Sequence, residues 1–161
     1  MKRILAFVFA TCCLFPTGFS FADDAANQLA GTWKVVSLIT NFDGGDAVEP
    51  FGSNPKGRLV LTPEGQWIII LTRADRGPAT NLEDKAALLD SMLGYSGKYS
   101  VEGNRMTIRV DMSWNEINTG SNLTRFFTVV GEKLTIRTGQ IASAIRPGQK
   151  AEGILTFERE R

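Results

Sequence analysis

The chain has 161 residues, with 18 lysines and arginines against 17 aspartates and glutamates, no histidine and two cysteines. That length supports one domain with a real core and is too short for two ordinary ones. The balanced charge offers no basic excess to hold a phosphate backbone, so nucleic acid is not an expected partner. Without histidine, a Ser-His-Asp triad, a Cys-His dyad and the usual zinc sites cannot be assembled.

In chain order, residues 1–22 read as a secretory signal: Lys2 and Arg3, an apolar run from Ile4 to Leu14, then Ser20-Phe21-Ala22 with small residues at the third-last and last positions. Cleavage after Ala22 is the expectation, leaving residues 23–161 as one exported domain, periplasmic or secreted. Cys12 and Cys13 both fall inside the signal, so the exported form is expected to hold no thiol, disulfide or cysteine metal site. The apolar run is too short to span a bilayer. No later segment approaches the roughly 20 apolar residues a spanning helix needs, so no transmembrane segment is expected.

From Trp33 onward the apolar residues alternate or run in short blocks bounded by glycine, proline and asparagine, the pattern of many short strands. Eight segments are predicted: Thr32 to Thr40, Lys56 to Thr62, Gln66 to Arg73, Gly94 to Val101, Arg105 to Ser113, Ser121 to Val130, Lys133 to Arg137 and Gly153 to Arg159. Pro63-Glu64-Gly65, Glu102-Gly103-Asn104 and Gly131-Glu132 supply hairpin chemistry between neighbours, so sequential antiparallel pairing follows.

One segment breaks the pattern. Thr80-Asn81-Leu82-Glu83 reads as a capping box, and Leu82, Ala86, Leu89 and Leu93 make one apolar stripe ended by Gly94. This predicts a short helix between the third and fourth strands, covering a mouth or a flank. Asn41 to Pro55 and Thr138 to Glu152 carry no pattern and read as long loops. The fold class is therefore all-β. Eight antiparallel strands closed up-and-down into a barrel remove the exposed sheet edges and leave room for one small ligand.

Gly31-Thr32-Trp33 opens the first strand and Phe157-Glu158-Arg159 closes the last, which suits a barrel end plugged by an indole under a guanidinium. Gly31, Trp33 and Arg159 are accordingly read as structural. With Pro50-Phe51-Gly52, Pro55-Lys56-Gly57-Arg58-Leu59, Thr62-Pro63-Glu64-Gly65, Tyr95-Ser96-Gly97-Lys98-Tyr99 and Arg125 on the sixth strand, these motifs resemble the bacterial and fungal lipocalin-like domain family of the calycin group. The resemblance covers nearly all of residues 23–161 and implies a lipocalin-like barrel that binds a small molecule. That family commonly carries histidine near the fifth strand. This chain has none, so family chemistry that needs imidazole is not implied for it.

Period-two alternation puts Leu123, Arg125, Phe127 and Val129 on one face of the sixth strand. A guanidinium in apolar company needs a partner or a route to water, which leaves three readings for Arg125: an internal ion pair, a stem that packs while the head reaches water, or a contact to an anionic ligand. On the fifth strand Ile108, Val110, Met112 and Trp114 share one face, opposite Thr107, Arg109, Asp111 and Ser113. Arg109 and Asp111 are either a surface pair or an acid and a base lining a cavity, with Asp111 as the general-base candidate. Tyr95 and Tyr99 share a face of the fourth strand, as core rings or with hydroxyls at a ligand. Trp67, beside Ile69 and Leu71, lines the cavity or fills it.

The leading expectation is an exported barrel binding a small, mostly apolar molecule, with an anionic group at Arg125 and with Tyr95, Tyr99, Trp67 and Arg109 as further contacts. No cofactor or metal is expected. The rival is an isomerase or cyclase using Asp111, Tyr95 or Tyr99 for proton transfer. A third reading is an envelope module that docks protein partners on its two long loops.

Overall fold

A computed structural model describes residues 27–143 and 146–161, so the expected signal and its cleavage point lie outside the described residues. Ten strands form one sheet: β1 (Gly31–Phe42), β2 (Ala47–Val48), β3 (Lys56–Leu61), β4 (Gln66–Thr72), β5 (Met92–Glu102), β6 (Arg105–Ser113), β7 (Asn122–Val130), β8 (Lys133–Arg137), β9 (Ile141–Ala142) and β10 (Lys150–Arg159). Pairing runs β1-β3-β4-β5-β6-β7-β8-β10, all antiparallel, and β10 returns to β1 with Trp33 opposite Arg159. Eight strands thus close into an up-and-down barrel. The two-residue strands β2 and β9 lengthen β1 and β10 beyond its rim.

Alternation decides what fills the barrel. Trp33, Val35, Leu59, Leu61, Trp67, Ile69, Leu71, Tyr99, Met106, Ile108, Val110, Leu134, Ile136, Leu155 and Phe157 all belong to one buried cluster, and their neighbours along each strand face water. One end is sealed. The indole of Trp33 is fully buried and its Nε1 donates to the Leu29 carbonyl at 2.8 Å. The Arg159 guanidinium lies 4.1 Å from the Trp33 ring centroid and donates to the carbonyls of Ala30 (2.7 Å) and Gln28 (2.6 Å). A Cβ on Gly31, where φ is +140°, would sit 2.6 Å from Arg159 Nη1, so glycine is what lets the guanidinium approach the chain.

Two bulges interrupt the alternation. In β1 the register against β10 shifts between Val35 and Ser37, so that Leu38 comes inside where uninterrupted alternation from Val35 would place Ser37. In β6 the residue after Val110 is extra: Gly97 pairs with Val110 and Ser96 with Met112, so Asp111 has no partner of its own. A Cβ at Gly97 would collide with the Arg109 carbonyl, which ties the close approach of β5 and β6 at this bulge to glycine. Beyond the bulge the faces exchange. Met112 is 66% exposed and Ser113 is buried, the reverse of uninterrupted alternation.

The helix α1 (Leu82–Asp90) lies between β4 and β5, between the third and fourth barrel strands as expected, but its details differ. The N-cap is Asn81, whose Oδ1 accepts from the Asp84 amide at 2.8 Å, and the Asp84 carboxylate accepts from the Thr80 amide and hydroxyl at 2.9 and 2.7 Å. The cap is therefore one residue later than the Thr80-to-Glu83 reading, because aspartate at the third helical position serves as well as glutamate. The helix stops at Ser91, not Gly94, and β5 starts at Met92. Of the expected apolar stripe only Leu93 packs on the barrel, and it belongs to β5: no helix residue is buried, Leu82 is 82% exposed and Leu89 49%.

The stretch 41–55 is also more ordered than a plain loop. Besides β2 it carries Phe51, which is buried in the barrel cluster. Removing the plug is the direct test of closure. Trp33→Ala should lower unfolding stability by about 3 to 5 kcal/mol in urea titrations, whereas a loss below roughly 1 kcal/mol would mean the indole is not structural.

Candidate ligand-binding site

In the half of the barrel away from the Trp33 plug, the side chains do not meet. A cavity of about 100 Å³ is lined by Leu38, Trp67, Ile69, Leu93, Tyr95, Arg125, Ile136, Thr138, Gly153 and Leu155. Six strands contribute, so the site is a property of closure and not of any one hairpin. Its walls are apolar except at Tyr95, Arg125 and Thr138. The Thr138 hydroxyl is already engaged, donating to the Gly139 carbonyl and accepting from the Gly153 amide, both at 2.8 Å.

The Trp67 and Tyr95 rings stack beside the cavity, with centroids 5.7 Å apart and planes 16° from parallel. The Trp67 Nε1 is buried and has no hydrogen-bond partner among the described residues. Leaving such a donor unmet costs on the order of 1 to 3 kcal/mol. Tyr95 is partly buried, and this burial pushes its phenol above the usual range, while the charge and a hydrogen bond of Arg125 pull the other way.

Arg125 decides the character of the cavity. It is half-buried on the inward face of β7, with Leu123, Phe127 and Val129. Its Nη1 donates to the Thr124 carbonyl at 2.8 Å, and Tyr95 lines the same cavity. On the outer surface Arg58, Arg105 and Arg137 each hold a carboxylate, Glu160, Glu102 and Glu152. Arg125 has no carboxylate within ion-pair distance among the described residues. The internal ion pair that one reading of the sequence allowed is therefore not made there.

Of the expected site residues, Trp67, Tyr95 and Arg125 come together. The others do not. Tyr99 shares the inward face with Tyr95, but it is buried away from the cavity lining and its hydroxyl donates to the Thr62 carbonyl at 2.9 Å. Asp111 is exposed on the outer face and accepts from the Ser96 hydroxyl at 2.6 Å, so the cavity-base reading fails for it. Arg109 is also exposed and outside the lining, and the expected Arg109–Asp111 cavity pair is absent from it. Of the three residues considered for proton transfer, Tyr95 alone reaches the cavity.

Several lining residues were not anticipated. Leu38 enters through the β1 bulge, and nothing in the sequence marks the extra residue. Thr138 and Gly153 bound the stretch read as a loop, yet Thr138 donates its amide to the Gly153 carbonyl at 2.9 Å and extends the barrel wall. A signal was available there: Thr138 continues the alternation of Leu134 and Ile136.

A family model described as a lipocalin-like domain matches residues 30–160. No curated protein matches the chain. Among solved structures, the chain is similar to EF1p2_mFAP2b, whose structure is described as bound to DFHBI, at 13% identity and a TM-score of 0.43, over 86% of this chain and 99% of that one. It is also similar to Rv2717c from M. tuberculosis, at 14% identity and a TM-score of 0.33, over 89% and 100%.

Both tyrosines of the chain are held neutral, Tyr95 mainly by burial and Tyr99 by burial and then by Glu64. At pH 10.0, the ordinary phenol value, tyrosinate absorbance of the folded protein should stay below half of its final amplitude. In the unfolded chain the phenols release protons first, so N binds more protons than U and stability falls as pH rises past that value. Half-maximal tyrosinate at the ordinary value, with the fold intact, would show both hydroxyls open to water.

Proposed function

The chain belongs to the lipocalin-like domain family, and on that premise we propose that it is an exported carrier of a small, mostly apolar molecule whose anionic group faces Arg125. One observation supports this reading above the rest: a guanidinium on the wall of a barrel cavity with no carboxylate partner among the described residues. A charge partly removed from water is costly unless paired, and the ligand is the pairing group that the protein lacks. The aliphatic walls from Leu38, Ile69, Leu93, Ile136 and Leu155 supply the apolar contact. Export is supported by Lys2, Arg3, the apolar run and Ser20-Phe21-Ala22.

Native mass spectrometry of the protein purified from its own cells tests both halves. The expected result is a chain starting at Asp23 that retains a small adduct, with the adduct lost in Arg125→Ala while near-UV circular dichroism stays native. An adduct retained by Arg125→Ala, or a barrel that carries none and shows only waters beside Arg125 at high resolution, contradicts the carrier reading. A retained Met1 contradicts export.

A further inference from the structure

We propose that the outer face of β3, β4, β5 and β6 docks the protein on an anionic lipid surface. The sequence of β4 points there first. Trp67-Ile68-Ile69-Ile70-Leu71 is apolar at every position, the pattern of a strand covered on both faces. The barrel interior takes Trp67, Ile69 and Leu71, while Ile68 and Ile70 point outward and are 51% and 52% exposed. The helix that follows β4 does not cover them, since none of its residues is buried.

Strand register joins these side chains into one patch. Ile68 lies opposite Val60 of β3 and Ser96 of β5, and Ser96 lies opposite Met112 of β6, which is exposed as well. Ile70 lies opposite Gly94, where a Cβ would meet Met92 Cε at 3.7 Å and Ile70 Cγ1 at 3.9 Å. The Met92 and Ile70 side chains therefore flank the bare glycine and continue the apolar surface. A lone exposed isoleucine needs no explanation, but a patch built from four adjacent strands marks a contact surface.

Charge selects the occupant. Lys34 of β1 lies opposite Arg58 of β3, with Lys56 two residues along, and Lys98 opposite Arg109 bounds the patch toward the plugged end. Lys34, Lys56, Lys98 and Arg109 are in no ion pair among the described residues. The acids at this face are fewer: Glu160 is held by Arg58, Asp111 accepts from Ser96, and Glu64 in the turn after β3 feels Lys98. A second copy docked face to face would set one basic rim against another, which opposes association. A bilayer with anionic headgroups answers the same bases with opposite charge, and its interface takes up Ile68, Ile70 and Met112. The side formed by β8 and β10 lacks this combination, because Arg137 is matched by Glu152 and Lys133 lies opposite Glu158. None of the docking residues lines the cavity, so the docking face and the cavity stand or fall separately.

The test is co-sedimentation of the purified protein with phosphatidylcholine vesicles that contain or lack phosphatidylglycerol. The protein should pellet with the anionic vesicles and stay in solution with the neutral ones. Raising salt from about 0.1 M to about 1 M, which shortens the screening length from roughly 10 Å to roughly 3 Å, should release it. Ile68→Thr with Ile70→Thr, which keeps the β-branching, should weaken binding by roughly 10-fold, and Lys34→Gln with Lys56→Gln by a similar factor. Lys133→Gln with Lys150→Gln removes the same charge elsewhere and should change binding by less than about twofold. Near-UV circular dichroism reports folding, and if the isoleucine variant is misfolded the two lysine variants carry the comparison. Equal pelleting with neutral vesicles, equal losses in the two lysine variants, or no pelleting at all overturns the proposal. So does binding that survives both face variants, which assigns it to the apolar run from Ile4 to Leu14. A dimer dissolved by Ile68→Thr with Ile70→Thr, in protein that ignores both vesicles, gives the face to a second copy and overturns it too.

Discussion

Everything inside this protein depends on the pairing of β1 with β10. Trp33 opposite Arg159 and Phe42 opposite Ala151 bring the two ends of the domain into one ladder, and only then do the inward faces of the eight long strands enclose a volume. The plug at one end fixes where that volume can be. Trp33, Leu29 and Phe157 exclude all solvent there, held by the guanidinium of Arg159 over the indole and its bonds to backbone carbonyls. Packing is dense from the plug to the layer of Tyr99 and Met106. Space is left where Trp67, Tyr95 and Arg125 line one cavity.

The bulges shape that space. By turning Leu38 in and Met112 out, they change which side chains reach the interior without changing strand order. The charged residues Arg109 and Asp111 of β6 lie outside the barrel by plain alternation with the buried Ile108 and Val110. Asp111 pairs with Ser96 outside, so the inner wall has no acid to neutralise Arg125. The consequence is a cavity whose single formal charge is positive, while on the outer surface Arg58, Arg105 and Arg137 each hold a carboxylate. Such an arrangement stabilises an anion far more than it stabilises the fold.

Much of this was legible in the sequence, for reasons that can be named. Period two is a local property, so the eight barrel strands and the inward faces of β4, β5, β7 and β8 follow from alternation alone. Trp67, Tyr95 and Arg125 were within reach of that reasoning, as were the residues of the plug. A bulge adds one residue without any compositional mark and so hid the inward turn of Leu38, whereas Asp111 was open to a catalytic reading because alternation alone does not say which face of β6 points inward. Tyr99 was misjudged for another reason: sharing a face with Tyr95 says nothing about depth along the barrel, and its hydroxyl is spent on Thr62 near the plugged end. The helix shows a third limit. Its spacing of Leu82, Ala86 and Leu89 is amphipathic on paper, but the chain leaving β4 and returning to β5 gives that stripe nothing to pack against.

A charged side chain kept for a ligand and one kept for the fold behave in opposite ways when replaced by an apolar residue of similar bulk. Urea unfolding of Arg125→Met in ligand-free protein measures which of the two Arg125 is. If the guanidinium serves an anion that the protein does not itself supply, the methionine variant should unfold at an equal or higher urea concentration than wild type, with its slope unchanged, because a partly desolvated charge has been removed. A drop in stability of about 2 kcal/mol or more would contradict the account, since it would make Arg125 a structural partner within the barrel.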